Sequence, residues 1–351
     1  MARAKLTVDL TAIRRNWRAL DALSGCDTET AAVLKANSYG LGITRTAPAL
    51  AAEGAKTFFV ALADEGAELR EILGIKPKIY ILSGLLPGDE KLCRDYDLTP
   101  CLNSVDQIRR MAAAIPGHTS ALQIDSGMNR LGLEPADLTE ATDHIAKIRA
   151  DLLLSHLACA DEPSHPQNRS QLQVFKTVAR DFPDLRRSLA ATGGILLGSD
   201  FHHNLTRPGI GLFGGAPFSD GLPVVSLSLP VIQVREVEEG ESVGYGATWT
   251  APETRQVATI SAGYADGLLR TAGNGQVSLY AGDTPCPMVG RISMDLITVD
   301  VTGLETVPSH LEILNEHQTV DDLANAAGTI GYEFLTSLGD RYERNYKESQ
   351  Q

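Results

Sequence analysis

The apolar run Ala32-Val-Leu ends on a lysine, Lys35, and passes at once into the glycine-flanked stretch Ala-Asn-Ser-Tyr39-Gly40-Leu-Gly42. An amine delivered by a strand end into such a loop is placed to bond covalently to a carbonyl carbon, provided it can lose its proton. Most lysines in this position are simply solvated charges. Tyr39 follows four residues later, so a helical turn would bring its phenol to the side of Lys35. Gly40 and Gly42 let backbone approach a bulky ligand.

Further groups with chemical potential are spread along the chain. Gln123-Ile-Asp-Ser-Gly-Met-Asn-Arg130-Leu-Gly-Leu holds an arginine whose planar fork suits a carboxylate or phenolate oxygen. Leu154-Ser-His156 ends a strand on a histidine that either touches a ligand or sits satisfied in the core. Ala191-Thr192-Gly-Gly offers a hydroxyl and backbone N–H groups suited to phosphate. Thr206-Arg207-Pro-Gly209-Ile210-Gly fixes an arginine on a late strand, where barrels bind phosphate. Val243-Gly-Tyr245-Gly-Ala-Thr-Trp and Ser261-Ala-Gly-Tyr264-Ala-Asp-Gly each present a tyrosine next to glycine, a pattern also common in plain turns, and Arg291-Ile-Ser-Met294-Asp295 completes the set.

The elements that must position these groups change character along the chain. Leu10, Ile13, Trp17 and Leu20 recur at helical spacing over Asp9–Leu23, with Asp9 or Thr11 available as cap. Strand-like runs then alternate with helical ones: the lysine strand, Thr57–Leu62, Lys78–Ser83, Leu98–Leu102, Ala121–Asp125, Leu152–Leu157, Leu189–Thr192 and a turn around Arg207–Leu212. About eight strands joined by helices predict a (β/α)8 barrel of the TIM type, with active groups at strand C-terminal ends. After about Leu222, short β-branched runs punctuated by glycine and proline predict a mostly-β domain, with a helix at Val320–Ala327 and a polar tail from Arg341 that frays. The expected division is 1–225 for the barrel and 226–351 for the β-domain.

Composition narrows the function classes. A length of 351 residues suits two domains, and a net charge of −13 with no basic cluster argues against nucleic-acid binding. Five cysteines without paired spacing point to a reducing compartment, and no segment approaches a membrane-spanning length of apolar residues. A cytoplasmic protein without membrane or nucleic-acid partners is expected, and no metal site.

Taken together and in this order, Lys35 with Tyr39, Arg130, His156, Arg207-Pro-Gly-Ile, Tyr245, Tyr264 and Met294-Asp295 resemble the alanine racemases across nearly the whole chain. The resemblance implies a barrel that holds pyridoxal 5'-phosphate and a β-domain that completes the site of a neighbouring subunit in a head-to-tail homodimer with shared active sites. It gives Lys35 the covalent bond to the cofactor and makes Tyr245 of the partner subunit the second catalytic base. Phosphate contacts fall to Tyr39, Thr192, Gly209 and Ile210, and the pyridine nitrogen to Arg207 with His156 in support. The substrate carboxylate falls to Arg130 and the Met294 backbone, while Tyr264 lines the entrance with Asp295 near it.

Inverting an α-carbon requires removing a proton from one face and returning one on the other, for which two opposed acid/base groups suffice. Arginine at the pyridine nitrogen, being a permanent donor, leaves that nitrogen unprotonated and the ring a poorer electron sink. A racemase of serine or another small amino acid is the alternative within the class. A barrel-fold pyridoxal-phosphate decarboxylase would share the lysine and phosphate loops but would not need Tyr245, and a mere cofactor carrier would not need the β-domain. The same racemisation serves D-alanine supply for the cell wall and L-alanine catabolism.

The chain departs from the family pattern in places. Ala191 removes a side-chain amide next to Thr192, and Asp340 stands where some members place a phosphate-binding tyrosine, so no contact is assigned there. Some members place a carbamylated lysine beside the substrate arginine, whereas the matching position here is Gln123, an amide that needs no modification. Activity is therefore expected to be indifferent to bicarbonate. Turnover in buffer stripped of carbon dioxide, compared with turnover after its return, checks this, and a reversible loss would contradict it.

Overall fold

The computed structural model describes residues 4–273 and 275–348. The chain divides into two compact units, one made of the N-terminal residues up to Ala12 with Leu222 onwards, the other of Ile13–Gly221. The first strand, β1 (Lys5–Asp9), belongs to the former. Asp9 Oδ1 accepts from the Ala12 N–H at 3.0 Å and so starts the helix Leu10–Ser24. The apolar stripe read from the sequence, Leu10, Ile13, Trp17 and Leu20, is its buried face.

In the unit Ile13–Gly221, strands and helices alternate: β2 (Glu29–Thr30), β3 (Ala32–Val33), β4 (Thr57–Val60), β5 (Lys78–Ile81), β6 (Thr99–Leu102), β7 (Thr119–Gln123), β8 (Arg149–Leu154), β9 (Arg186–Ser188) and β10 (Leu205–Thr206). β3 to β9 form a seven-stranded sheet in sequence order, every neighbouring pair parallel. β2, one residue ahead of β3, pairs in parallel with β10, and a parallel bridge between Ala191 and Arg207 joins the chain beyond β9 to the chain beyond β10. With β2 and β3 taken as one strand, the ring closes at eight, the barrel expected from the sequence. Ala31, Val33, Phe59, Tyr80, Cys101, Ala121, Leu152, Leu154 and Leu205 form a buried cluster drawn from these strands, with the Phe59 and Tyr80 rings stacked at 4.8 Å. One strand lies earlier than expected. Register with Leu152–Leu154 holds Arg186–Ser188 in the sheet, and Thr192 already opens a helix, Thr192–Leu196.

The other unit is built on β11 (Val225–Val237), a strand of 13 residues with a register irregularity between Val231 and Gln233. The sequence reads it as two strands broken at Pro230, but Pro230 keeps its place opposite His310, and the strand runs on. β12 (Ser242–Val243) and β13 (Trp249–Thr250) make a hairpin, followed by β14 (Arg255–Ile260), β15 (Ser278–Ala281), β16 (Thr284–Pro287), β17 (Ile297–Asp300), β18 (His310–Leu314) and β19 (Glu343–Lys347). The main sheet runs β16-β15-β18-β11-β1-β19, while β14 pairs with both β11 and β17. The helix Val320–Ala327 has the predicted bounds, its Thr319 hydroxyl accepting from the Asp322 N–H.

Two expectations need correcting here. Residues 5–9 do not join the barrel half, because β1 bonds to β11 antiparallel and to β19 in parallel. The polar tail does not fray over Glu343–Lys347 either. Its alternating half-buried side chains belong to a strand whose partner, β1, lies more than 300 residues earlier in the sequence, so no local pattern announces it.

Truncation after Tyr342 is expected to uncover the edge of β1 and lower the melting temperature by several degrees relative to the full chain, as read by calorimetry. Equal melting of both chains would contradict this.

Candidate functional site

Lys35 is the first residue released from the barrel, just after the Leu34 N–H bonds to the Phe59 carbonyl at 2.8 Å. Ala36, Asn37, Ser38 and Tyr39 then have φ values of 51°, 54°, 56° and 55°, so the turn foreseen over this segment is left-handed. Such a conformation costs roughly 1–2 kcal/mol for each non-glycine residue. Side chains offset that cost: Asn37 Oδ1 accepts from the Ile43 N–H at 2.7 Å, the Ser38 and Thr46 hydroxyls bond at 2.6 Å, and Glu65 Oε1 accepts from the Ala36 N–H at 2.7 Å. The turn sends the Tyr39 ring inward against Phe213, at 5.1 Å between centroids, and its phenol oxygen up to Gly209.

Four cationic or titratable groups share this end of the barrel. Burial lowers the Lys35 amine below the ordinary lysine range, the charge of Arg130 lowers it further, and Glu65 acts in the opposite sense. Burial, then Arg207, Arg130 and Lys35, push the His156 imidazole down to about 3, so it is neutral at physiological pH. Arg207 is only 4% exposed. It donates to the Ser188 hydroxyl and, at 2.6 Å, to the Ser155 carbonyl, and it lies 5.8 Å from the Phe59 ring centroid. Burial lowers its guanidinium to about 10, which leaves it protonated.

Arg130 is exposed on the loop after β7. The Gln123 amide donates to the Leu131 carbonyl at 3.3 Å, so it braces the backbone of the loop that carries Arg130.

Beside Tyr39 the structure gathers Thr192, Gly209 and Ile210. The Thr192 hydroxyl accepts from the Gly209 N–H at 3.1 Å and the Gly211 N–H at 3.3 Å. A Cβ on Gly209 would collide with the Tyr39 phenol oxygen, so only glycine leaves room there. Thr192 is buried at a helix start, and hydroxyl, phenol and backbone donors meet in one small cradle. Asp340, left without a contact from the sequence, is exposed.

The remaining candidates lie in the β-rich unit. Tyr245 occupies the turn between β12 and β13, 68% exposed, with Arg291 packed on the neighbouring Gly246. Register sets Ile260, the last residue of β14, opposite Ile297, the first of β17, so the loops bearing Tyr264 and Met294 emerge at one end. There the Tyr264 N–H donates to Ser293 O and the Ala265 N–H to Met294 O, both at 3.0 Å. Gly263 is needed because a Cβ would strike the Ser293 and Met294 carbonyls. Tyr264 is 43% and Met294 54% exposed. The candidates thus form two clusters, one in each unit.

Sequence reading missed the residues that hold these clusters. Arg341 grips Asp266 through two bonds, at 2.6 and 2.8 Å, and Asp295 at 2.7 Å, and so ties the Tyr264 loop to the Met294 loop. Gln171, fully buried, donates to the His156 carbonyl at 2.9 Å and to the Ser126 hydroxyl at 3.2 Å, and accepts from the Ala158 N–H at 2.8 Å. Glu65 was legible only as an acidic residue in the first turn of the helix Ala63–Leu73.

A family model of the alanine racemase N-terminal domain matches residues 8–217, and one of the C-terminal domain matches residues 224–346. The chain is 58% identical over 346 residues to an alanine racemase of Cereibacter sphaeroides, covering 99% of both chains. It is 43% identical over 369 residues to an alanine racemase of Rhizobium meliloti, covering 98% of this chain and 97% of the relative. Among solved structures it is similar to alanine racemase from Bartonella henselae with covalently bound pyridoxal phosphate, with a TM-score of 0.94, 36% identity and coverage of 99% and 100%.

Acid should act on the fold through two histidines. His156 and, outside the site, His203 are held down to about 3 and about 4, in each case chiefly by burial, against 6.5 when unfolded. Because the unfolded chain binds protons that the folded chain refuses, stability is full above pH 6.5 and falls as pH drops through that value toward 4, by up to ~1.4 kcal/mol per unit for each histidine. Urea unfolding between pH 7.5 and 5 reads the slope. His203→Asn, a residue that tolerates the positive φ there, should reduce it, and an unchanged slope would contradict the assignment.

Proposed function

Because the chain belongs to the alanine racemase family, we propose that it interconverts L- and D-alanine by a two-base mechanism in which Lys35 serves one face of the α-carbon and Tyr245 of the partner subunit the other. The activity itself, isomerisation of alanine with pyridoxal phosphate as cofactor, follows from family membership over the full length. The division of labour between residues and subunits is the proposal. The observation that carries it is the setting of Lys35: an amine at a barrel strand end, its affinity for a proton lowered by burial and by Arg130.

The residues present fit the cofactor. The cradle of Tyr39, Thr192 and Gly209, where the missing Cβ lets the phenol oxygen approach the backbone, suits a phosphate, with the Ile210 backbone alongside. Arg207, immobilised by Ser188 and Ser155, suits a ring nitrogen that only accepts. When bound, pyridoxal phosphate draws electron density from the α-carbon of the attached amino acid and so makes its proton removable.

Lys35 Nζ is the atom that would hold the cofactor, and as a free amine it would serve as the base on one face. Arg207 keeps its own proton, and His156, being neutral, adds no competing charge beside it. Arg130 and the Met294 N–H take the carboxylate, which orients the α C–H toward the bases. Tyr264, with Asp295 beside it, borders the approach. Two observations support sharing between subunits: Tyr245 is largely exposed on a short hairpin, and Met294, Asp295 and Tyr264 cluster on the same unit. A head-to-tail homodimer lets one chain present these groups to the barrel of another.

Tyr245→Phe keeps the ring and loses the proton-bearing oxygen, so turnover should fall by about 10²–10⁴-fold while cofactor absorbance stays normal. Lys35→Ala should lose both turnover and covalent cofactor. Mixed dimers of the two inactive chains contain one site with both groups intact, so mixing should restore activity. Wild-type turnover in Tyr245→Phe, or no recovery in dimers shown to be mixed, would overturn the two-subunit reading, and carbon dioxide release from an amino acid would overturn the reaction.

A further inference from the structure

Glu65 sits at the third position of the helix Ala63–Leu73, where a carboxylate that closes back on the preceding N–H groups is an ordinary cap. One of its oxygens does this, accepting from the Ala61 N–H at 2.7 Å and the Leu62 N–H at 3.2 Å. The other oxygen leaves the helix and accepts at 2.7 Å from the N–H of Ala36, 29 residues away and directly after Lys35. Capping does not call for that second bond. Ala36 opens the run of four left-handed residues, the segment whose backbone is hardest to hold, and its N–H is fixed by a side chain borne on the next barrel repeat.

The same carboxylate lies within electrostatic reach of the Lys35 amine. The groups facing that amine are Arg130 on the loop after β7, His156 beyond β8 and Glu65 in the first turn of the helix after β4; of these only Glu65 is anionic. Arg130 and burial both disfavour the ammonium, which Glu65 favours.

We propose that Glu65 is a positioning residue for Lys35, its carboxylate fixing the left-handed turn that follows the amine. This rests on the reading of Lys35 as the cofactor-bearing base. A lysine that must accept a proton in one direction of a reversible reaction and surrender it in the other works best when neither form is strongly favoured, and a cation and an anion set on either side of the amine achieve that balance.

Three full-length variants test the proposal. Glu65→Gln and Glu65→Ala remove the charge. Glu65→Asp keeps it but withdraws the oxygen from the Ala36 N–H. After cofactor is stripped, the pH dependence of Lys35 acetylation by limiting acetic anhydride, read by mass spectrometry of the Lys35 peptide, gives the midpoint of the amine. It should move down in Glu65→Gln and Glu65→Ala and stay near wild type in Glu65→Asp. Hydrogen exchange in the holoenzyme should accelerate at least about tenfold over residues 36–40 in all three variants, while the cap of Val105–Ala114 keeps its wild-type rate. If the charge-removing variants do not fold, Glu65→Asp still decides the matter through exchange at Ala36. Wild-type midpoint and exchange in the variants, with pyridoxal phosphate found on Lys35 of the unmodified protein, would overturn this proposal alone. Absence of cofactor on Lys35 would overturn the functional reading and this proposal with it.

Discussion

A guanidinium sealed from water is tolerated only where the protein replaces the lost hydration, and Arg207 is such a group. The Ser188 hydroxyl and the Ser155 carbonyl take its hydrogens, and the Phe59 ring lies 5.8 Å away. Ser155 directly follows β8 and Ser188 ends β9, while Arg207 itself forms the bridge to Ala191 beyond β9. The cation is therefore tied to the closing seam of the barrel. Losing one partner would leave a buried charge short of a bond, which is far more costly than a missing contact at the surface. The fold's closure and the site's permanent donor are one arrangement.

From that fixed cation the rest of the site's electrostatics follows. A chain with a net charge of −13 concentrates Arg207, Arg130 and Lys35 at one end of one barrel, with a neutral histidine among them. Such a local excess of positive charge suits a ligand with two anionic ends, a phosphate and a carboxylate, and costs something when empty. The depressed basicity of Lys35 expresses that cost: an amine next to arginine, in a place water reaches poorly, gives up its proton more readily than a surface lysine.

Much of this was legible in the sequence because it depends on local pattern. The apolar strand runs, the helix Val320–Ala327 and the glycine at 209 are all written in short windows. Tertiary relations carried what was not. The hand of the turn after Lys35 follows from Asn37 and Ser38 bonding to Ile43 and Thr46 of the next helix and from Glu65, on a later one, bonding to the Ala36 N–H, although none of residues 36–39 is glycine. Arg341 looked like part of a polar tail because its aspartates stand 75 and 46 residues away. Pro230 argued for a break in β11 that the register with β18 does not make.

The pairing of β1 with β19 and β11 bears on the order in which the molecule is made. Five residues near the N-terminal end leave the ribosome with every strand that can complete them still untranslated, and their last partner is Glu343–Lys347. Meanwhile the segment Ile13–Gly221, whose strands pair with near neighbours in sequence except where β10 closes on β2, emerges with all of its own partners. The earliest strand is thus among the last to be satisfied. Its alternation of buried Leu6 and Val8 with more exposed neighbours leaves it short and only half apolar while it waits, which limits what else it can pair with.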